Sequence, residues 1–252
     1  MQPEVYQQVF SVQTTHWWGR NRRILSLDLL RRFGVPQHCQ YIDIGCGTGQ
    51  NLGLLDSLRP SRVVGLDISP IALEFARKAC PGCELVRCDI NRELPFPDET
   101  FDVATIFSVL YHRWVENELA VLREARRISK AGALLLITEP AFPALAREVD
   151  IVDMAKRRYR LKQCVALLHA AEFDVLFSSY LTSFGAPIIL AMKAMKALEG
   201  NSTTTVDAPD LHLTHPLLDA ALYCLARIEA ALVKRSVRMP FGTTIICVAR
   251  RR

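Results

Sequence analysis

A chain of 252 residues, half of them apolar, can bury a sizeable core and needs no second full domain. Its net charge of +5 is spread as short pairs such as Arg22-Arg23, Arg31-Arg32 and Lys234-Arg235, which argues against the continuous basic stripe of a nucleic-acid interface. Met1 to Phe10 has no basic and apolar export tract, and no apolar run reaches the length of a membrane span, so the expected compartment is the cytoplasm.

In chain order, Arg20 to Phe33 reads as a helix stopped by Gly34 and Pro36. A strand, Tyr41-Ile42-Asp43-Ile44, runs into Gly45-Cys46-Gly47-Thr48-Gly49, and Thr48 to Leu58 is expected as the helix that follows. Arg62 to Leu66 is the second strand, ending at Asp67. Ser69 caps a helix to Ala79 with Pro70 in its first turn. Glu84 to Cys88, Phe101 to Phe107 and Ala133 to Thr138 are the next three strands, with a helix over Val115 to Ile128. Phe173 to Leu181 and Thr243 to Ala249 read as two further strands. Between them lie two apolar-rich helical segments, Phe184 to Leu198 and Pro216 to Val233, parted by the polar stretch Gly200 to Asp210. Strands alternating with helices at this spacing imply parallel βαβ units, whose ligands lie at the C-terminal edge of the sheet.

Eight cysteines are expected to be reduced and to bind no metal. Cys46, Cys164, Cys224 and Cys247 sit in apolar patterns where a thiol behaves as a small hydrophobe. Cys80-Pro81-Gly82-Cys83 has no second CxxC after it and is read as a turn with incidental thiols. Lys156-Arg157-Arg158-Tyr159-Arg160 is read first as the basic start of a helical region and second as a contact for an anionic substrate.

Three glycines at alternate positions let a backbone touch its ligand. Asp67, eighteen residues beyond Gly49, can accept hydrogen bonds from both hydroxyls of a ribose. The spacing GxGxG, rather than GxGxxG, combines with Asp43 to disfavour a pyrophosphate and to suit a cation. At this point the sequence resembles the class I S-adenosylmethionine-dependent methyltransferases, whose first motif reads (D/E)xGxGxG. The likeness narrows to their type 11 group through His16-Trp17-Trp18 with Arg22-Arg23, Leu94-Pro95-Phe96-Pro97-Asp98, Phe101-Asp102-Val103, Phe107 to Trp114 and Ile128 to Pro140.

The resemblance implies a Rossmann-like seven-stranded α/β sheet, mostly parallel with the last strand antiparallel, helices on both faces, and a helical insertion before the last strand. Residues 1–36 would form an N-terminal helical segment and lid, 37–183 the cofactor-binding core, 184–238 a helical cap, and 239–252 the final strand. Asp43, Gly45, Cys46, Gly47, Thr48 and Gly49 would hold the methionine end of S-adenosyl-L-methionine, and Arg22, from the N-terminal signature, would also be cofactor-binding. Asp67 would hold the ribose and Asp89 the adenine amino group. Ile68 and Ile90 would sandwich the adenine, core packing being the duller alternative, and Phe107 with Ser108 would face the sulfur.

Relatives often carry a His-Asp pair and a further His before an Arg-Arg-Tyr run; here the stretch reads Val149-Asp150, then Ala155 before Arg157-Arg158-Tyr159. His112 is then the candidate base, if the acceptor must lose a proton, and His16 with Trp17 and Trp18 a candidate lid. The expected acceptor is a small molecule with a hydrophobic portion, not a nucleic acid. For the inserted helices a cap is expected, with a homodimer contact or an in-plane membrane contact as alternatives. A non-catalytic S-adenosylmethionine-binding subunit is the alternative to an enzyme.

Overall fold

The computed structural model describes residues 3–12, 15–147, 149–152, 154–198 and 216–252. Seven strands, β1 (Gln40–Ile44), β2 (Arg62–Asp67), β3 (Glu84–Arg87), β4 (Phe101–Phe107), β5 (Ser129–Pro140), β6 (Phe173–Leu181) and β7 (Thr244–Arg251), form one sheet. Its order is β3-β2-β1-β4-β5-β7-β6. All neighbours from β3 to β5 pair in parallel, and β7 runs antiparallel to both β5 and β6. The expected class and the single reversed strand are therefore present. The order reverses between β1 and β4, which opens a crevice at the C-terminal ends of those strands.

Among the described residues eight α-helices surround the sheet: α1 (Pro3–Val12), α2 (Trp17–Arg32), α3 (Pro70–Ala79), α4 (Glu118–Ile128), α5 (Val149–Val152), α6 (Leu161–Ala170), α7 (Gly185–Leu198) and α8 (Pro216–Lys234). Strand alternation splits the core into two layers. On one face Ile42, Ala104, Leu135 and Ile245 pack against Val121, Leu122, Ala125 and Leu168 of α4 and α6. On the other, Tyr41, Val103, Leu136 and Val248 pack against Leu25, Leu29 and Leu30 of α2 and Ala230 and Val233 of α8. Local signals fix the ends of helices: Ser69 Oγ accepts from Ala72 N at 3.2 Å, and Asn117 Oδ1 from Ala120 N at 3.1 Å.

Several expectations are corrected. The segment after the glycines is not a helix from Thr48 but a 3-10 helix over Leu52–Leu58, which ends on Arg59 in the left-handed region. α4 begins at Glu118 rather than Val115, because Asn117 supplies the cap. Lys130-Ala131-Gly132, which precedes the expected strand Ala133 to Thr138, does not lie outside it. It is absorbed into β5 as a bulge, since the pairing jumps from Phe101–Ser129 to Val103–Leu134. Cys80 and Cys83 are joined in a disulfide across their turn, contrary to the expectation of reduced thiols, and Cys224 is exposed rather than packed. Arg157 and Arg158 are consumed internally: Arg157 pairs with Glu118 and donates to Val115 O, while Arg158 pairs with Asp150 at 2.6 Å. Neither presents a free anion-binding surface.

The insertion is tied down by a buried acid. Glu229 of α8 accepts from Thr182 N, from Ser183 N at 2.7 Å and from Ser183 Oγ, just where Thr182 adopts φ 57° after β6. A β-branched residue holds that conformation only when its surroundings enforce it. α8 lies alongside α2 and parallel to it, with Trp17 N donating to Asp219 near one end and Arg32 donating to Lys234 O near the other. It therefore joins the layer on the sheet face, and only its first turns reach the binding edge. The polar stretch Gly200 to Asp210 falls outside the described residues. Glu229→Ala is expected to lower unfolding free energy by about 3 kcal/mol, because two backbone amides and a hydroxyl lose their acceptor, measured by urea denaturation against the parent protein.

Candidate active site

The crevice between β1 and β4 collects the sequence-predicted residues. Asp43 is fully buried and lies opposite Thr105 of β4. Thr105 Oγ1 donates to Asp43 Oδ1 at 2.6 Å, and Tyr41 Oη supports Thr105 at 2.8 Å. The second oxygen, Oδ2, is buried with no hydrogen-bond partner. Burial pushes the Asp43 carboxyl up to about 7, against the opposing pull of the Thr105 hydroxyl and the Arg22 charge.

Arg22 reaches this carboxylate from α2. Its guanidinium is buried between two rings, 4.2 Å from the Trp18 centroid and 5.1 Å from that of Phe107. Long hydrogen bonds run to Ser108 Oγ at 3.4 Å and Gln50 Oε1 at 3.3 Å, while Nε is buried without a partner. Burial lowers its pKa to about 10, still far above neutrality. An anionic oxygen and a cationic nitrogen, both buried and both unsatisfied in one crevice, suit a zwitterion whose ammonium and carboxylate complete them.

The glycine loop supplies the adjacent surface. Gly47 has φ 54° and a Cβ there would meet nothing within 4 Å, so this stretch of backbone faces open volume. Gly49 has a different duty: at φ 85° its Cβ would stand 2.8 Å from Ala76 Cα, so the residue permits α3 to pack closely. Cys46 and Thr48 are buried beside them. Asp67 is directed at the same loop, its Oδ2 accepting from Gly47 N at 2.9 Å and its Oδ1 from Ser69 N at 2.8 Å.

Beyond Asp67 the crevice continues to the end of β3. Ile68 is 44% exposed, whereas Ile90 is 8% exposed and belongs to the core, so the packing account covers Ile90 alone. Asp89 Oδ1 accepts from both nitrogens of Asn91, at 3.0 and 2.8 Å. The helix α1, absent from the element-by-element reading, packs on α3 through Phe10 and Phe75, with ring centroids 5.1 Å apart. Tyr6 hydrogen-bonds Ser69 there and lies near Asp67.

At the other end, Ser108 takes φ 57° directly after β4, a conformation uncommon outside glycine. The turn it opens is held by Glu139 of β5, whose Oε1 accepts from Val109 N at 3.2 Å and Leu110 N at 2.9 Å and whose Oε2 accepts from Tyr111 N at 3.2 Å. Burial pushes Glu139 up to about 8 although these amides favour the carboxylate. No pattern in the sequence marks Glu139 as the anchor of this loop. His112 follows, its ring 4.1 Å from Tyr111 and 4.5 Å from Trp114 between centroids, and its backbone bridges Ala155. His112 thus borders the position where relatives are expected to carry a further histidine.

His16 lies away from this loop. It occupies the residue before α2, with Trp17 at 5.7 Å between ring centroids and Phe184 tilted against Trp17 at 5.8 Å. Burial lowers the His16 pKa, with Asp219 opposing. The N-terminal segment and the start of the insertion therefore meet at one aromatic rim.

A family model described as a methyltransferase domain matches residues 42–137, from β1 to β5. A malonyl-[acyl-carrier protein] O-methyltransferase of Halorhodospira halophila is 34% identical over 214 residues, which is 80% of this chain and 68% of that protein. A demethylmenaquinone methyltransferase of Tropheryma whipplei is 32% identical over 133 residues, 52% of this chain and 51% of the relative. The chain thus spans about half the length of several curated relatives that it matches. An S-adenosylmethionine-dependent methyltransferase structure from Mesorhizobium loti superposes with a TM-score of 0.57 at 18% identity, over 88% of this chain and 96% of that one, a likeness of fold alone. On the relationship to the Halorhodospira protein, together with the family model, the chain belongs to the class I S-adenosylmethionine-dependent methyltransferases of type 11.

Proposed function

We propose that the protein transfers a methyl group from S-adenosylmethionine to a small amphiphilic acceptor at the aromatic rim. The observation that carries the cofactor site is the unsatisfied pair in the crevice, Asp43 Oδ2 and Arg22 Nε. Asp43 would take the ammonium and Arg22 the carboxylate of the methionine end. Gly45 to Gly49 would lie along it, Asp67 would receive the ribose hydroxyls, Ile68 would cover one adenine face, and Ile90 would close the other from its place in the core. Asp89 would receive the adenine amino group through the oxygen that Asn91 does not use. Phe107 and Ser108 would flank the sulfur.

Bound there, S-adenosylmethionine supplies an electrophilic methyl on a sulfonium leaving group, so the chain's task is positioning and exclusion of water. Trp17, Trp18 and Phe184 would cover the reacting centre from the N-terminal side and the insertion. His112, half-buried between two rings, would take a proton from a hydroxyl or acidic carbon as the acceptor attacks. The half-buried aromatic rim supports an acceptor with an apolar portion, and the relatives include a demethylmenaquinone methyltransferase and a malonyl-[acyl-carrier protein] O-methyltransferase.

Three measurements test this reading. Gly47→Val would fill the open volume beside the loop and cost about 1–2 kcal/mol through its positive φ. Calorimetry should show S-adenosylmethionine binding lost in a protein that still folds, and wild-type affinity would move the cofactor off this loop.

The Asp43 carboxyl, raised to about 7, must ionise to hold an ammonium. Affinity should therefore fall by about tenfold per pH unit below about pH 7, with proton release on binding, and level off before the ammonium itself deprotonates near about pH 8. Calorimetry in buffers of different ionisation enthalpy reads that proton, and Asp43→Asn should remove both the acid limb and the release.

For the acceptor, methyl-labelled S-adenosylmethionine is incubated with demethylmenaquinone, a malonyl thioester and trans-aconitate. Label should pass to an acceptor with an apolar portion, and Phe184→Ala should raise its KM by about tenfold, a loss of roughly 1.4 kcal/mol of binding. Preference for trans-aconitate would contradict the amphiphilic acceptor.

A further inference from the structure

The inserted helices carry an apolar surface that no described residue covers. On α8 the positions turned away from α2 are Leu217, Leu218, Ala221, Cys224, Leu225, Ile228 and Leu232, all exposed and none charged. On α7, Ile188, Leu190, Met192, Met195 and Leu198 are between 49% and 87% exposed. Ile188, Met192, Met195 and Leu198 are spaced to line one side of the helix, with Leu190 standing apart from them. Val237 and Phe241, 44% and 46% exposed, extend the surface past α8.

Charge around this surface has one sign. Among the described residues from 184 to 241, the exposed charged side chains are Lys193, Lys234, Arg235 and Arg238. Both acids are turned inward, Glu229 to Thr182 and Ser183 and Asp219 to the backbone of Trp17. Lys193 is held against the carbonyls of Ala144 and Ala146, and Lys234 against Asp28. Arg235 and Arg238 stand at the edge of the apolar face.

We propose that α7 and the outer face of α8 seat the protein in the interfacial plane of an anionic bilayer. An apolar stripe on α7 and an apolar outer face on α8, with basic side chains at the edge, match what an interfacial helix presents to a bilayer. A second copy meeting the same face would also set arginines against arginines, whereas anionic headgroups complement them. Among the described residues no helix is long and apolar enough to cross a membrane, so the contact lies in the plane. Trp17 and Phe184 join the aromatic rim to the start of α7, so the seating brings the mouth of the crevice to the lipid surface. The seating itself stands whatever acceptor the site takes.

Sedimentation with phosphatidylcholine vesicles, with and without about 30% phosphatidylglycerol, tests this. The protein should pellet with the anionic vesicles, bind neutral ones at least about tenfold more weakly, and be released by about 0.5 M salt. Leu225→Glu with Ile228→Glu, and separately Met192→Glu with Met195→Glu, should stay in the supernatant while retaining S-adenosylmethionine affinity, which shows that they fold. Arg235→Ala with Arg238→Ala should lose the preference for anionic vesicles. Wild-type protein that remains in the supernatant with both vesicle types would overturn the proposal. So would a wild-type dimer, split by Ile228→Glu, that vesicles do not bind.

Discussion

A buried arginine between two buried acids organises the binding edge. Arg22 enters from α2 and interacts electrostatically with both Asp43 of β1 and Glu139 of β5. Each acid would be costly to bury alone in ionised form. Together the three groups fix the N-terminal helix to the sheet, the floor of the crevice to β4 through Thr105, and the loop after β4 to β5 through three amides. Asp43 Oδ2 and Arg22 Nε remain buried without a partner, and in the proposed site the ammonium and carboxylate of a zwitterionic cofactor would relieve that cost.

The sheet was legible because its determinants are local. β4 and β6 begin and end where apolar runs do, and the glycine loop and Asp67 fall at the strand ends that their spacing implies. Where the reading failed, tertiary packing decides the geometry. Nothing in Leu52 to Leu58 distinguishes a 3-10 helix from an α-helix, and Lys130-Ala131-Gly132 resembles a turn until Ser129 pairs with Phe101. The disulfide between Cys80 and Cys83 depends on how the turn before β3 is closed, which composition does not specify.

The site divides in the same way. Asp43, Gly47 and Asp67 announce themselves by spacing. Arg22 does not, because its meaning arises only when α2 crosses the sheet edge and Trp18 and Phe107 close on either side. Glu139 acts through backbone amides thirty residues away or fewer, with no pattern in the chain to mark it. The insertion shows the limit most clearly: apolar positions alone do not say which neighbour a helix meets, and α8 lays its inner face on α2 and turns the rest outward.

The direct test of the charge balance is the stability of Arg22→Met as a function of pH. Asp43 and Glu139 have folded pKa values raised to about 7 and about 8, so the stability they contribute is present below the unfolded carboxylate range and is lost as pH rises through those values. Removing the cation should raise both further. Urea unfolding is predicted to show a modest loss at about pH 6, where the acids are largely neutral, and a loss greater by about 2 kcal/mol or more at about pH 9. Equal losses at the two pH values would show that Arg22 packs between its rings without balancing the acids, and would contradict the account.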